Sequence, residues 1–321
     1  MKKNLLLVLA VGLLGCMQAN AQQEPMFTHY MFNKLTYNPG YAGSREGICA
    51  TLIYHNQWGN FNGQDKEGAP ITQNFAIHSP IKIGKMSDLG VGFHITNDQN
   101  GFIGTTGFWG TAAYKKQLSF AQLGLGINAG LAQQKLGATW HAEHPTDPRL
   151  PNKASSAVFD AGLGAYLNAL NWYVGLSALH ATASTAKWAD GSNPGLTAKY
   201  KIAPSYFLTA GYNMPMGTNF EIQPSFIVKS EVAKTVVDVS ALALYKKMIW
   251  GGLNYRAERI TALSAMVGVY PFANLGIGYS YDIDVSGPAP FGGTHEIMVN
   301  YCFKINIPTE TDVWHKSPRF L

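Results

Sequence analysis

His295 and Glu296 are the nearest this chain comes to a hydrolytic metal motif, and the spacing fails. A zinc-protease helix needs a second histidine four residues on, so that both imidazoles share one face and the glutamate can act as base. Position 299 is Val. Neither a glycine-rich phosphate loop nor a Gly-x-Ser-x-Gly nucleophile turn occurs. The nine histidines, His55, His78, His94 and His180 among them, are dispersed rather than grouped at ligand spacing. A Ser–His pair could still meet in three dimensions, because such groups need not be neighbours in sequence, but no residue pattern points to one. The sequence therefore implies no catalytic residues, no cofactor and no metal, and the histidines read as polar lining of a wall.

That wall is built of strands. An apolar-Gly-apolar-Gly alternation recurs at residues 89–95 (LGVGFHI), 123–131 (LGLGINAGL), 161–167 (AGLGAYL) and 275–281 (LGIGYSY). A period of two puts the apolar side chains on one face and Gly, Ser, Asn or His on the other. The apolar face needs a cover, which is either a second sheet or lipid.

The start of the chain favours lipid. Residues 1–21 read as a secretory signal peptide, with Lys2 and Lys3 ahead of an apolar stretch over 5–14 and Ala19-Asn20-Ala21 as the cleavage site. That stretch is about ten residues, short of the roughly 20 a spanning helix needs. A competing reading takes Leu13-Leu14-Gly15-Cys16 as a lipobox with an acylated Cys16. An exported chain with 13% charged residues, 34 glycines and 12% aromatics has few solvated faces. The formal net charge is only +5, two units of which belong to Lys2 and Lys3, so neither charge nor compartment suggests nucleic acid as a partner.

Fourteen candidate strands fill the rest: 48–58, 70–80, 88–97, 105–115, 119–135, 157–167, 170–180, 198–213, 218–228, 232–246, 248–257, 260–270, 274–282 and 294–306. Most are near ten residues, the length that crosses an outer membrane at a tilt, and an even count returns both ends of the barrel to one side. Connections after even-numbered strands are mostly tight, whereas 58–70, 136–156, 181–197 and 283–294 follow odd-numbered ones. Short turns on one side and long loops on the other mark an outer-membrane barrel. The expected fold is all-β, a transmembrane antiparallel up-and-down β-barrel of about 14 strands, facing outer-membrane lipid. Tyr114, Tyr212 and Tyr245 fall on the lipid-facing parity near the periplasmic ends, where amphipathic rings sit at headgroup level.

Closure requires the first and last strands to pair. Cys49 shares the inward parity of Thr51, His55 and Gln57, and Cys302 that of Glu296, Met298, Asn300 and Lys304. Both thiols then lie inside, near the periplasmic end of the closing seam. A disulfide between Cys49 and Cys302 fits that placement, and so do two unpaired thiols separated by barrel shear.

Several blocks, in order, resemble the PorP/SprF family of outer-membrane proteins of the type IX secretion system of the Bacteroidetes. The opening segment QQEPMFTHYMFNKLTYNPGYAGSR contains Asn38-Pro39-Gly40-Tyr41-Ala42-Gly43. It is followed by Asn56-Gln57-Trp58, then Gly68-Ala69-Pro70-Ile71-Thr72-Gln73, then Leu89-Gly90-Val91-Gly92 with Asn97-Asp98. Ala113-Tyr114, Gly175-Leu176-Ser177 and Gln223-Pro224-Ser225 follow in that order, and Gly278-Tyr279-Ser280-Tyr281-Asp282 leads into Gly293-Thr294-His295-Glu296-Ile297-Met298. Asn33-Lys34, where Asn-Pro is expected, and Pro39-Gly40, where Pro-Ala is commoner, depart from the pattern. The resemblance implies a non-enzymatic barrel that supports secretion or surface attachment of cargo proteins, and gliding adhesins in some members. The partners it implies are secretion-system subunits or the C-terminal domains of secreted cargo.

The expected organisation is a signal peptide (1–21), an N-terminal periplasmic segment (22–47), the barrel (48–306) and a periplasmic tail (307–321), with both termini periplasmic. Inward Gly and Ser leave a lumen that water, a ligand, the loop 136–156 or the segment 22–47 would have to fill. That segment, with Phe27, Tyr30, Phe32, Tyr37, Asn38, Pro39 and Tyr41, is costly to leave in water and is expected to pack into or under the periplasmic mouth, as a plug or a partner contact. The alternative function is an outer-membrane diffusion channel or ligand-specific transporter.

Overall fold

The computed structural model describes residues 24–59, 69–83, 86–101, 103–137, 153–189, 197–231, 234–258, 261–285 and 292–304. The expected signal peptide, the lipobox at Cys16, most of the loop 136–156 and the tail 307–321 lie outside the described residues.

Among the described residues, seventeen strands follow three short helical turns. They are β1 (Ile48–Asn56), β2 (Ile71–Ile83), β3 (Met86–Asn100), β4 (Ile103–Gln117), β5 (Gln122–Gly137), β6 (Lys153–Asn168) and β7 (Trp172–Leu179). Then come β8 (Thr185–Ala189), β9 (Thr197–Lys201), β10 (Ser205–Tyr212), β11 (Met214–Met216), β12 (Phe220–Glu231) and β13 (Lys234–Tyr245). The last four are β14 (Ile249–Ala257), β15 (Ala262–Phe272), β16 (Leu275–Asp284) and β17 (Thr294–Phe303). Fourteen of them, all but β8, β9 and β11, form one antiparallel ring in sequence order, closed by pairing of β1 with β17. The short β11 continues β10 alongside β12, and β8 and β9 form a separate hairpin.

One expected strand is two. The segment 198–213 divides into β9, which belongs to the hairpin, and β10, which belongs to the ring. Pro204 stands between them and has no N–H to give a ladder. Another expectation is corrected at the far end: β17 stops at Phe303, and Lys304, expected inward, is exposed.

The burial pattern is that of a soluble protein turned inside out. Leu52, Phe108, Ile127, Leu131, Phe159, Leu163, Leu176, Val239, Leu253 and Val267 are exposed on the outer face. Thr51, Asn74, His94, Asn128, Asp160, Lys229, Asp238, Asn254, Ser264 and Glu296 are buried on the inner one. Strict alternation along each strand produces this, and a one-residue slip would turn the polar set outward. Tyr114, Tyr212 and Tyr245 lie on the outer face as expected. At one end of the ring, turns such as 118–121, 169–171 and 246–248 are tight, while the other end carries 57–70, 138–152, 180–204 and 285–293. The connections 101–102, 232–233 and 258–261 are the short ones at that long-loop end.

Candidate functional site

The lumen is filled by the chain's own residues 24–47. Phe27, Tyr30, Tyr37 and Tyr41 are buried there, and Thr28, His29 and Thr36 are at most 1% exposed. The segment is compacted by a turn at Tyr30–Phe32, a helical turn at Lys34–Tyr37 and a third turn at Pro39–Tyr41. Such short pieces cannot persist alone, so the wall must hold them.

The segment runs the length of the lumen. Glu24 sits in the long-loop half, where its carboxylate meets His180 Nε2 at 2.7 Å and its carbonyl accepts from Lys229 Nζ. Gly47 lies beside Phe303 at the short-turn end, directly before β1. Of the two expected placements for residues 22–47, into or under the short-turn mouth, the described residues 24–47 take the first and continue through to the long-loop half. An even strand count fixes where β1 begins; it does not constrain the residues before it, and these bury their aromatic rings by threading the lumen.

The upper lock is Glu296. Its carboxylate is fully buried and accepts from the backbone N–H of Thr28 (3.0 Å) and of His29 (2.7 Å). Its two oxygens also meet His29 Nδ1 at 2.6 Å and His55 Nδ1 at 2.8 Å. Adjacent His295 points to the opposite face and meets the Tyr279 hydroxyl at 2.7 Å. Neighbours in a strand alternate faces, so His295 and Glu296 share no site. Among the described residues no three His, Cys, Asp or Glu side chains are placed to hold a metal.

The middle is held by amides and hydroxyls. Asn33 Nδ2 donates to Asn74 Oδ1 at 2.8 Å, Ser177 Oγ donates to the Tyr37 carbonyl, and Tyr30 pairs with Ser225 at 3.0 Å. Asn38 caps the third turn through Oδ1, which accepts from Gly40 N, while its Nδ2 donates to the Ala165 and Leu176 carbonyls. Tyr37 packs on Phe207, Phe32 on Trp250, and Tyr41 edge-on against Tyr166 and His78.

Here the glycine alternation finds its use. The Asn38–Gly43 backbone lies directly on the inner wall, and a Cβ at Gly90, Gly124, Gly126 or Gly164 would overlap Ala42, Gly40, Pro39 or Asn38 respectively. Reciprocally, a Cβ on Gly40 would sit 2.8 Å from the Gly124 carbonyl and 2.9 Å from that of Gly164. Gly43, at φ +70°, needs the left-handed region that only glycine enters freely.

The lower end is charged. Lys115 Nζ donates to the Gly40 carbonyl at 2.6 Å and to Ser44 Oγ at 2.8 Å. Arg45 donates to Asn300 Oδ1 and Cys302 Sγ, each at 3.0 Å. Lys34 lies 3.8 Å from the centroid of the Tyr173 ring. Cys49 and Cys302 stand opposite one another in the β1–β17 register and are joined as a disulfide, Cα–Cα 4.1 Å.

All seven aromatic, Asn and Pro residues singled out in the segment thus meet in one plug, and both cysteines meet at the seam below it. Sequence reasoning placed Glu296 and His55 inward but gave them no partner. His29, Lys115, Asn74 and Ser177, which hold the plug, were given no role in it by the sequence.

The fold resembles that of known outer-membrane barrels. The Ralstonia pickettii toluene transporter TbuX matches with a TM-score of 0.51 at 10% identity, over 89% of this chain and 96% of that one. Acinetobacter baumannii Omp33 (TM-score 0.46, 8% identity, 81% of this chain and 100% of that one) and a Pseudomonas aeruginosa FadL homologue (0.46, 11%, 87% and 95%) are also similar. No curated protein is significantly similar in sequence. The family model described as type IX secretion system membrane protein PorP/SprF matches residues 19–301, which takes in the plug and nearly all of the barrel. The chain belongs to the PorP/SprF family of type IX secretion system membrane proteins, a family of membrane components rather than of enzymes.

Proposed function

We propose that this barrel is a non-enzymatic docking component of the type IX secretion apparatus, which supports secretion of cargo proteins or their attachment at the cell surface, adhesins included. The observation that carries this reading is the plug. The described residues 24–47 occupy the lumen as largely buried chain, hydrogen-bonded to the wall, which supports a closed barrel rather than an open pore. The useful surfaces are then the two mouths. In this reading the long loops face the outside, the short turns and the tail after Phe303 face the periplasm, and outer-membrane lipid covers the apolar exterior. Secretion-system subunits meet one mouth and C-terminal cargo domains the other.

The diffusion-channel alternative requires conductance. Purified barrel in a planar bilayer is expected to be silent, and steady single-channel currents would favour the channel. The direct test deletes the gene, compares the surface and secreted proteome with the parent, and identifies proteins that co-purify with the tagged barrel. Unchanged cargo together with no co-purifying protein would sink the docking reading.

A further inference from the structure

Above the plug, the long-loop mouth opens on a cavity of about 270 Å³. Its border carries five carboxylates, Glu24, Asp98, Glu258, Asp282 and Asp284, against two cations, Lys234 and Arg256. Both cations are already engaged. Lys234 pairs with Glu258, and Arg256 holds Asp238, which is outside the cavity, through its Nε and one terminal nitrogen at 2.9–3.0 Å. Glu24 is taken by His180.

Among the described residues, Asp98 and Asp284 are left without a cation, and Asp282 shares Arg256, whose Nη1 lies 3.9 Å from its Oδ2. Each accepts one hydrogen bond on one oxygen: Asp98 from Thr72 Oγ1 (2.6 Å), Asp282 from Thr28 Oγ1 (2.7 Å) and Asp284 from the Trp58 indole N–H (2.8 Å). Asp282 is the telling one. It is 2% exposed, and its Oδ1 has no hydrogen-bond partner among the described residues. A carboxylate oxygen buried without a donor is costly, and the residue that carries it lines a polar cavity with a surplus of negative charge. Trp58 adds an aromatic surface to the same border and is held at φ +54°, a conformation a bulky residue adopts only under tertiary constraint.

We propose that this vestibule receives one cationic side chain, a guanidinium or ammonium, from a protein that docks at the long-loop mouth. The inference rests on the docking function above and names the chemistry of the contact. A metal ion is the poorer occupant, since no three suitable side chains converge among the described residues. An arginine head fits better: its planar fork matches separate carboxylates and its face stacks on indole.

The test uses the full-length barrel in detergent, with argininamide as probe, neutral citrulline amide as control, and calorimetry plus tryptophan fluorescence as readouts. Saturable argininamide binding is expected, weakened about tenfold by Asp282→Asn, as for loss of one charge-assisted hydrogen bond. Asp282 also holds Thr28, so Asp284→Asn, at a half-buried position, is a second variant. Heat-dependent gel mobility reports folding of each. No saturable binding, equal binding of citrulline amide, or titration by calcium chloride without response to argininamide would overturn the proposal. Argininamide binding with unchanged surface cargo in the deletion strain would sink the docking reading and leave the cation site standing. Cargo loss without argininamide binding would sink the cation site alone.

Discussion

Glu296 of the last strand and His29 of the plug, 267 residues apart, meet at 2.6 Å between Oε1 and Nδ1. The same carboxylate takes two plug N–H groups and His55 of the first strand, so one side chain ties the plug to both strands of the closing seam. Removing one partner of a buried charged set costs about 3–5 kcal/mol, because the groups left behind stay desolvated and unpaired. Glu296→Gln keeps the shape and loses the charge. It is expected to lower stability by roughly 3 kcal/mol, read as a drop in the denaturant midpoint for loss of heat-resistant gel mobility. A midpoint equal to that of the parent would show that the plug is held elsewhere.

Gly126 faces the Pro39 carbonyl so closely that no side chain fits between them. Gly126→Val forces the plug backbone or the wall to move, at about 1–3 kcal/mol for overpacking. The barrel exterior is untouched, so the expected result is a folded barrel with a displaced plug, seen as new conductance and as proteolysis within residues 24–47. Gly251→Val is the control, since the nearest atom to a Cβ there is 3.6 Å away. New conductance in both variants would detach the effect from the plug.

Much of the wall was legible in the sequence, and so was a segment to fill it, but the contacts that seat the plug were not. Period-two alternation with small inward residues assigned inner and outer faces over most strands, because a spanning strand must repeat one pattern without interruption. It failed at 198–213, where Pro204 separates a hairpin strand from a ring strand that both alternate. The glycines of LGVG and LGLG signalled room along the inner wall, yet what fills the room is set by contacts such as Gly126 to Pro39 and Glu296 to His29. Each joins residues more than eighty positions apart. Such contacts depend on barrel radius and register, which local spacing does not encode.

Cys49 and Cys302 close the ring covalently at the end where the plug turns into β1, and Arg45 reaches the Cys302 sulfur. A crosslink between the first and last strands restricts the unfolded chain over nearly its whole barrel length, and removing one typically costs about 2–5 kcal/mol. Cys49→Ser with Cys302→Ser is expected to assemble a barrel with a lower denaturant midpoint and unchanged outer dimensions. Peptide mapping without reductant should recover residues 49 and 302 of the parent in one linked pair. Two free thiols in the assembled parent would remove the staple from the account.

The direction of the plug has a topological consequence. Glu24 borders the vestibule at the long-loop mouth, whereas β17 ends at Phe303 on the short-turn side, so the two ends of the described chain leave the barrel on opposite sides. In the orientation proposed here, an epitope placed after Ala21 emerges outward and one placed after Leu321 emerges into the periplasm. Intact cells are therefore expected to bind antibody to the first epitope, and to the second only after permeabilisation. The segment is tied to the wall at Gly47 beside Phe303, so seating it needs only lengthwise entry and not the disulfide of the seam. A variant whose seam is delayed, such as the double serine variant, should then still bury its plug, and protease should spare residues 24–47 in it. Exposure of both epitopes on intact cells, or of neither, would contradict an exit of the two ends on opposite sides.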